Sequence, residues 1–304
     1  MPFEGEKFKT PPISPEEEPT EGETEKELVE GEEIMEEVFK ETQEIELDKG
    51  IEAINDDLKE IVSERKEEGY EVEENGHIDF LAFKNERGRH FGYYSPTLIE
   101  EDRKFVERKE KEWKEEKESQ KRKGEKWYQE WLKKERDGEL LERYITVIFD
   151  EFLGEKFDVL RTSRLDDYKN HVDTLLLDKE TGIPLCAFDE VADTSGPRFE
   201  KKKEEILKKN LEGGVFIKYG YRIEKGKISP DSLSNIPVFY LAMDKWSLRD
   251  SIKKDSPATR RGAFSGLSFA MKKQIEVLRE KLSSISPVRK KLESIEKKLL
   301  EKKG

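Results

Sequence analysis

Apolar residues are concentrated between positions 138 and 244, and there their spacing alternates between two periods. GELLERYITVIFDEFLG places Leu141, Tyr144, Ile145, Ile148 and Phe152 on one helical stripe. FDVLRTS, NHVDTLLLD and IPLCAFDEV follow as three short apolar runs, each predicted as a buried strand. RFEKKKEEILKKNLEGG returns to a helical period and ends at Gly213-Gly214, before VFIKYGYRI, a loop, and IPVFYLAMD. The predicted order is α-β-β-β-α-β with an additional strand, a mixed α+β or α/β core. Lys179-Glu180-Thr181-Gly182 supplies a tight turn between the second and third strands.

Outside this core the pattern thins. Residues 1–25, rich in Pro, Glu, Thr and Gly, are expected to be a disordered acidic tail. Residues 26–97 predict one or two short helices and then a small antiparallel meander, with Asn75-Gly76 as a hairpin turn. Ser95-Pro96 signals a helix start. The helix expected over 98–137 is polar nearly all round, with Phe105, Trp113, Trp127, Tyr128 and Trp131 interspersed, and reads as a solvated arm. Its basic residues near aromatics are also a weaker candidate for stacking on single-stranded nucleic acid. In 245–304, Met271, Ile275, Leu278, Leu282 and Ile285 form a coiled-coil-like seam, continued by Val288, Leu292, Ile295 and Leu299 beyond Ser286-Pro287. Two helices are expected, about 266–283 and 287–303, either packing on their own chain or self-associating.

Composition sharpens the division. Charged residues make up 42% of the 304, and hydrophobic ones only 33%, so the apolar side chains must be pooled in one core. The net charge is −13. Residues 1–50 carry 5 Lys against 18 acids, whereas 245–304 carry 17 Lys/Arg against 7 acids. Lys253, Lys254, Arg260, Arg261, Lys272 and Lys273 in that basic segment are candidates for phosphate contacts with DNA or RNA. The acidic segment is expected to compete with phosphates for them. The lone Cys186 excludes an intrachain disulfide and suits a reducing compartment, so a cytoplasmic location is expected. There is no apolar stretch long enough to span a membrane and no secretory signal. His77, His90 and His171 lack zinc-ligand spacing with cysteine, and Gly213-Gly214 lacks the flanks of a phosphate-binding loop.

Two aspartates interrupt otherwise apolar strands, Asp173 in HVDTLLLD and Asp189 in CAFDEV. A buried carboxylate is costly unless it is paired, hydrogen-bonded or bound to a metal. Strand alternation puts His171, Asp173, Leu175 and Leu177 on one face, and Leu185, Ala187, Asp189 and Val191 on one face of the next strand. Closing the hairpin at Lys179–Gly182 brings both acids to the same end, where they could hold a hard cation such as magnesium.

The element order, Glu142 in GELLE, Asp173 and Asp189 together resemble the PD-(D/E)XK nuclease superfamily, with its restriction-endonuclease-like core. The resemblance covers about 138–244. It implies a magnesium-dependent hydrolase acting on phosphodiesters, with Glu142, Asp173 and Asp189 as metal ligands. It also implies a lysine two residues after the third-strand acid. Here that position is Val191, and shifting the frame to Glu190 gives Ala192. The lysine is then to be sought on the fourth strand (Lys218) or the second helix (Lys201, Lys202 or Lys203). His171 is an alternative proton-handling group. The competing expectation is a silent nuclease-like fold acting as a coiled-coil interaction or scaffold protein.

Overall fold

The computed structural model describes residues 21–88 and 92–300. Residues 1–20 of the expected acidic tail, His90 and the side chains of Trp127 and Trp131 lie outside the described residues. The chain divides into two compact units, 1–46 and 47–304. In chain order the elements are α1 (Glu21–Glu68), β1 (Arg87–Gly88), β2 (Gly92–Tyr93), α2 (Pro96–Arg122) and α3 (Glu125–Leu153). Then come β3 (Phe157–Arg161), α4 (Arg164–Asn170), β4 (Thr174–Asp178), β5 (Pro184–Val191) and α5 (Gly196–Leu211). The chain continues with β6 (Val215–Glu224), β7 (Lys227–Ile236), β8 (Val238–Ala242), α6 (Lys245–Lys253), α7 (Pro257–Lys281) and α8 (Pro287–Ile295), ending in a π-turn, Glu296–Leu300.

The protein is mixed α+β. A four-stranded sheet in the order β3-β4-β5-β8 is antiparallel at its first two pairings and parallel between β5 and β8. Phe149 of α3 meets Phe188 of β5 on one face. Leu175 and Ala187 pack with Ile206 of α5 on the other. The register shifts between Leu176 and Leu177, so the even alternation expected along β4 breaks there: Leu175 joins the α5-side cluster, Leu177 the larger one. The turn after β4 closes at Gly182, whose φ of +64° and close approach to the Ile223 carbonyl leave no space for a Cβ.

The outer edge of β8 is closed by two side-chain amides. Asn210 of α5 donates to the Val238 carbonyl at 2.7 Å and accepts from the Val238 N–H at 3.0 Å. Gln274 of α7 does the same for Tyr240, at 2.9 and 3.1 Å. Each carboxamide stands where a neighbouring strand's peptide would, so this edge has no free backbone groups at the two positions.

Three expectations about the elements change, and of the two alternatives for the C-terminal helices packing on their own chain is seen. Residues 21–25 begin α1, which runs as one helix to Glu68. The arm expected over 98–137 is two helices, because Lys123-Gly124 breaks it, with Gly124 at φ +116°. α3 runs from there straight into the core helix. VFIKYGYRI is not the fourth strand of the sheet: β6 forms a separate ten-residue hairpin with β7, and VFYLA supplies the fourth strand as β8. The C-terminal seam is spent on the chain's own core. Met271, Ile275, Leu278, Leu282, Val288, Leu292 and Ile295 are all buried, so those side chains are not displayed for a coiled coil.

Of the meander, the Asn75-Gly76 turn is present: Gly76 is at φ +86° and a bridge joins Val72 to Ile78. Ile78 donates to the Arg161 carbonyl at 3.0 Å, which fastens this turn to the free side of β3. Along α2, Arg103, Lys109 and their glutamate partners make exposed i,i+3 and i,i+4 pairs, as a solvated helix would.

Candidate functional site

Asp173 stands immediately before β4, where the sheet meets α3, α4 and α5. Its backbone is fixed on both sides: its N–H donates to the Phe188 carbonyl and its carbonyl accepts from Thr162, both at 2.8 Å. Its Oδ2 accepts from the Glu190 N–H at 2.7 Å. The side chain is thereby held at the β5 end of the sheet and is buried.

Four more carboxylates surround it. Glu142 sits on α3 where the apolar stripe of Leu141, Ile145 and Ile148 gives way. Burial and the charge of Asp173 raise it to about 7, against Arg161, whose guanidinium donates to it at 2.5 Å. Asp167, in α4, is pushed to about 9, first by burial and then by Asp173 and Glu142. At neutral pH it carries a proton and is placed to donate it to Asp173. Glu190 is raised well above the carboxylate range, by burial and again by Asp173. Its carboxyl group lies beside the Asp173 carboxylate and the Thr174 hydroxyl. Asp189 is raised to about 7 by burial and Asp173, against Lys202 and Lys209.

Alternation along β5 decides which acids share a face. Asp189 follows Ala187 onto the α5 face, where the Lys202 amine lies 2.6 Å from its Oδ2. Glu190 follows Phe188 onto the α3 face, and the charge of Glu142 is among those that raise it. The expected trio of Glu142, Asp173 and Asp189 therefore does not converge, because the sheet separates its first and last members. The strand acid on Glu142's side is Glu190, and Asp173, at the strand end, acts on the acids of both faces. Among the described residues no group of three or more His, Cys, Asp or Glu side chains is arranged so that it could hold a metal ion.

The basic groups are distributed differently from the expectations. Lys218 on β6 makes an ion pair with Asp102 of α2, whose carboxylate also accepts from the Tyr219 hydroxyl at 2.6 Å. Lys202 does reach the site. It lies one turn before Ile206, on the α5 stripe that faces the sheet, and Lys209 lies on the same stripe. Lys201 and Lys203 pair instead with Glu205 and Glu200. His171 is not in a strand. It ends α4 in the left-handed conformation, φ +51°, and is exposed. Burial lowers its pKa, followed by Lys202 and Lys209, while Asp173 opposes them, so it belongs to the α5 side of the cluster.

The C-terminal cations are mostly engaged. Arg260 binds Asp255 and Asp57, each at 2.6 Å, and Glu151 at 3.3 Å. Lys254 pairs with Asp250, Lys273 with Glu276, and Arg261 lies over the Phe152 ring. Lys253 and Lys272 lie in the same two helices. Arg260 is thus a structural cation with three carboxylates around it, and the six do not form a single uncompensated patch.

Sequence reasoning missed Glu190 as a site residue and Asp167 altogether. Ser163 caps α4, its Oγ accepting from the Asp166 N–H at 3.1 Å, and this short helix carries Asp167 to Asp173. No family model, curated protein or solved structure matches this chain.

Proposed function

We propose that the cluster around Asp173 is the site of a nuclease-like domain that binds nucleic acid and hydrolyses phosphodiesters with a divalent cation. The observation that carries this reading is the charge imbalance. Five carboxylates, Glu142, Asp167, Asp173, Asp189 and Glu190, meet three cations, Arg161, Lys202 and Lys209. Were all five ionised, two negative charges would remain in a largely buried place; the raised values of Asp167, Glu190, Glu142 and Asp189 mean that protons offset them when no ion is bound. Such a site takes up either protons or a divalent cation.

The donor set fits magnesium in kind, being all carboxylate oxygen. Asp173 and Glu190 would hold the ion as a pair of carboxylates with water completing its shell, and the ion would supply charge neutralisation at a phosphoryl group and an acidified water; Glu142 stays with Arg161. The element order, with acids on the first helix and at the second and third strands, supports a restriction-endonuclease-like core. The chain's own residues have distinct parts. Arg161 holds the Glu142 carboxylate toward the sheet, and Lys202 holds Asp189. His171, at the exposed rim, is a proton-handling group open to solvent, its pKa lowered by burial and then by Lys202 and Lys209.

A second reading has one specific observation in its favour. Arg161, only 2% exposed, already gives Glu142 a permanent counter-charge. A domain that had lost its ion would be stabilised by such a substitute, and would serve as a scaffold. Incubation of the full chain with linear and circular DNA and with RNA, plus magnesium or manganese, separates the two. Cleavage by the wild type that is lost in Asp173→Asn and Glu190→Gln supports the enzyme. Absence of cleavage on every substrate, together with absence of cation binding, supports the scaffold.

A further inference from the structure

A cavity of about 220 Å³ lies between α5 and α7, beside the edge of β8. Its apolar lining is Ile206, Leu207, Val277 and Leu278, with the Tyr240 ring. The two amides that line it, Asn210 and Gln274, are committed to the β8 backbone and have little left to offer a polar guest. The interior therefore accepts apolar material. The rim is different. Lys203 comes from α5 and Lys273 from α7, and both side chains line the cavity, each ammonium lying over a ring of its own helix, Phe199 or Phe269. Lys203 also lies close enough to Tyr240 to sense its phenol. Each lysine has one carboxylate neighbour on its own helix, Glu200 and Glu276, but those are exposed pairs of small worth that an incoming anion can replace.

Size narrows the guest further. The cavity is smaller than the roughly 300–1,000 Å³ of sites for drug-sized ligands, and somewhat larger than a dry cavity of about 150 Å³ known to take benzene. We infer that the α5–α7 cavity binds a small amphiphilic carboxylate, one ring or a short alkyl chain inside and the carboxylate between Lys203 and Lys273. The sources of such an acid are many; the shared chemistry is an apolar tail of this size with a single anionic head. Lys203, Leu207 and Asn210 lie beside the α5 stripe of Lys202 and Lys209, with Ile206 common to both, and the proposal does not depend on the nuclease reading.

Calorimetric titration of the full chain with 3-phenylpropionate tests it, beside 3-phenylpropanol, which keeps the ring without the charge, and propionate, which keeps the charge without the ring. One-to-one binding of 3-phenylpropionate is expected, weakened about tenfold or more in the Lys203→Gln, Lys273→Gln double variant, as loss of charge-assisted hydrogen bonds would give. The alcohol and propionate should each bind at least tenfold more weakly than the acid. A cavity-filling Val277→Trp variant, its fold checked by circular dichroism, should abolish binding. Absence of saturable binding to the wild type at millimolar acid overturns the proposal. So does equal affinity for the acid in the wild type and the double-lysine variant. Should Val277→Trp not fold, Leu207→Phe is the filling variant, and undiminished binding in it overturns the cavity assignment.

Discussion

Raising the pH from 6.5 to 8.0 in the presence of a chelator is expected to destabilise this protein. The cause is the cluster around Asp173. Glu142, Asp167 and Asp189 have ordinary values of 4.5, 3.8 and 3.8, and in the folded chain they rise to about 7, 9 and 7. Above about pH 5 the unfolded chain has released protons that the folded chain still holds. Stability contributed by these raised carboxyl groups is present at low pH and falls as pH rises through the folded values. Asp167 keeps its proton across the whole interval, so 1.5 units at 1.36 kcal/mol per unit give about 2 kcal/mol. Glu142 and Asp189 lose their protons within it and add about 1 kcal/mol each.

These groups repel one another through the same Asp173, so the contributions are not additive, and a total loss of about 2–3 kcal/mol is expected. The limits of the interval are set by groups with the opposite sign. His77, buried and held well below 6.5, costs stability as pH falls under that value. Lys291, lowered to about 8 by burial, begins to restore stability above it. Urea denaturation midpoints at the two pH values, in chelator, measure the difference. Asp173→Asn removes the like charge that acts on all the others and should cut the difference by at least half. A wild-type stability that is level or rising between pH 6.5 and 8.0, or a full drop retained in Asp173→Asn, would refute the reasoning.

Other consequences can be read from individual contacts. Lys202→Met should push Asp189 further up, with a stability loss larger at pH 8.0 than at 6.5, because at the lower pH protonation of Asp189 replaces the lost pair; equal losses at both would place Lys202 outside the cluster. Arg260→Met should cost about 1–2 kcal/mol, since Asp57 and Glu151 are about a third exposed and regain water, and should leave DNA affinity unchanged; a clear loss of affinity in a folded variant would return Arg260 to a phosphate-binding role. Gln274→Leu leaves the Tyr240 N–H and C=O without their partner, so a loss of about 1–3 kcal/mol and a rise in self-association by light scattering are expected; unchanged stability would mean the edge is not closed by this amide.

The three consecutive strands and their flanking helices were legible because each carries an apolar run of the right length and period, with a turn between the second and third. The sheet's fourth member was not. VFIKYGYRI is the longer and more strand-like segment, but its partner β7, KISPDSLSNI, reads as loop: it contains Pro230, aspartate and three serines. Pro230 is tolerated opposite Tyr221 in a two-stranded hairpin, where no third strand needs its missing N–H. Asp173 was visible as a carboxylate in an apolar run. The choice between Asp189 and Glu190 was not, because alternation says that they face opposite ways and cannot say which face α3 covers. Asp167 depended on a seven-residue helix held by Ser163, a local cap whose consequence for Asp173 is tertiary.

The central claim is that the carboxylates around Asp173 form a cation site, and titration of the full chain with manganese at pH 8.0 tests it most directly. Saturable binding accompanied by proton release is expected, lost in Asp173→Asn and Glu190→Gln and retained in Arg260→Met. Absence of binding by the wild type, or equal binding in all four proteins, would contradict it.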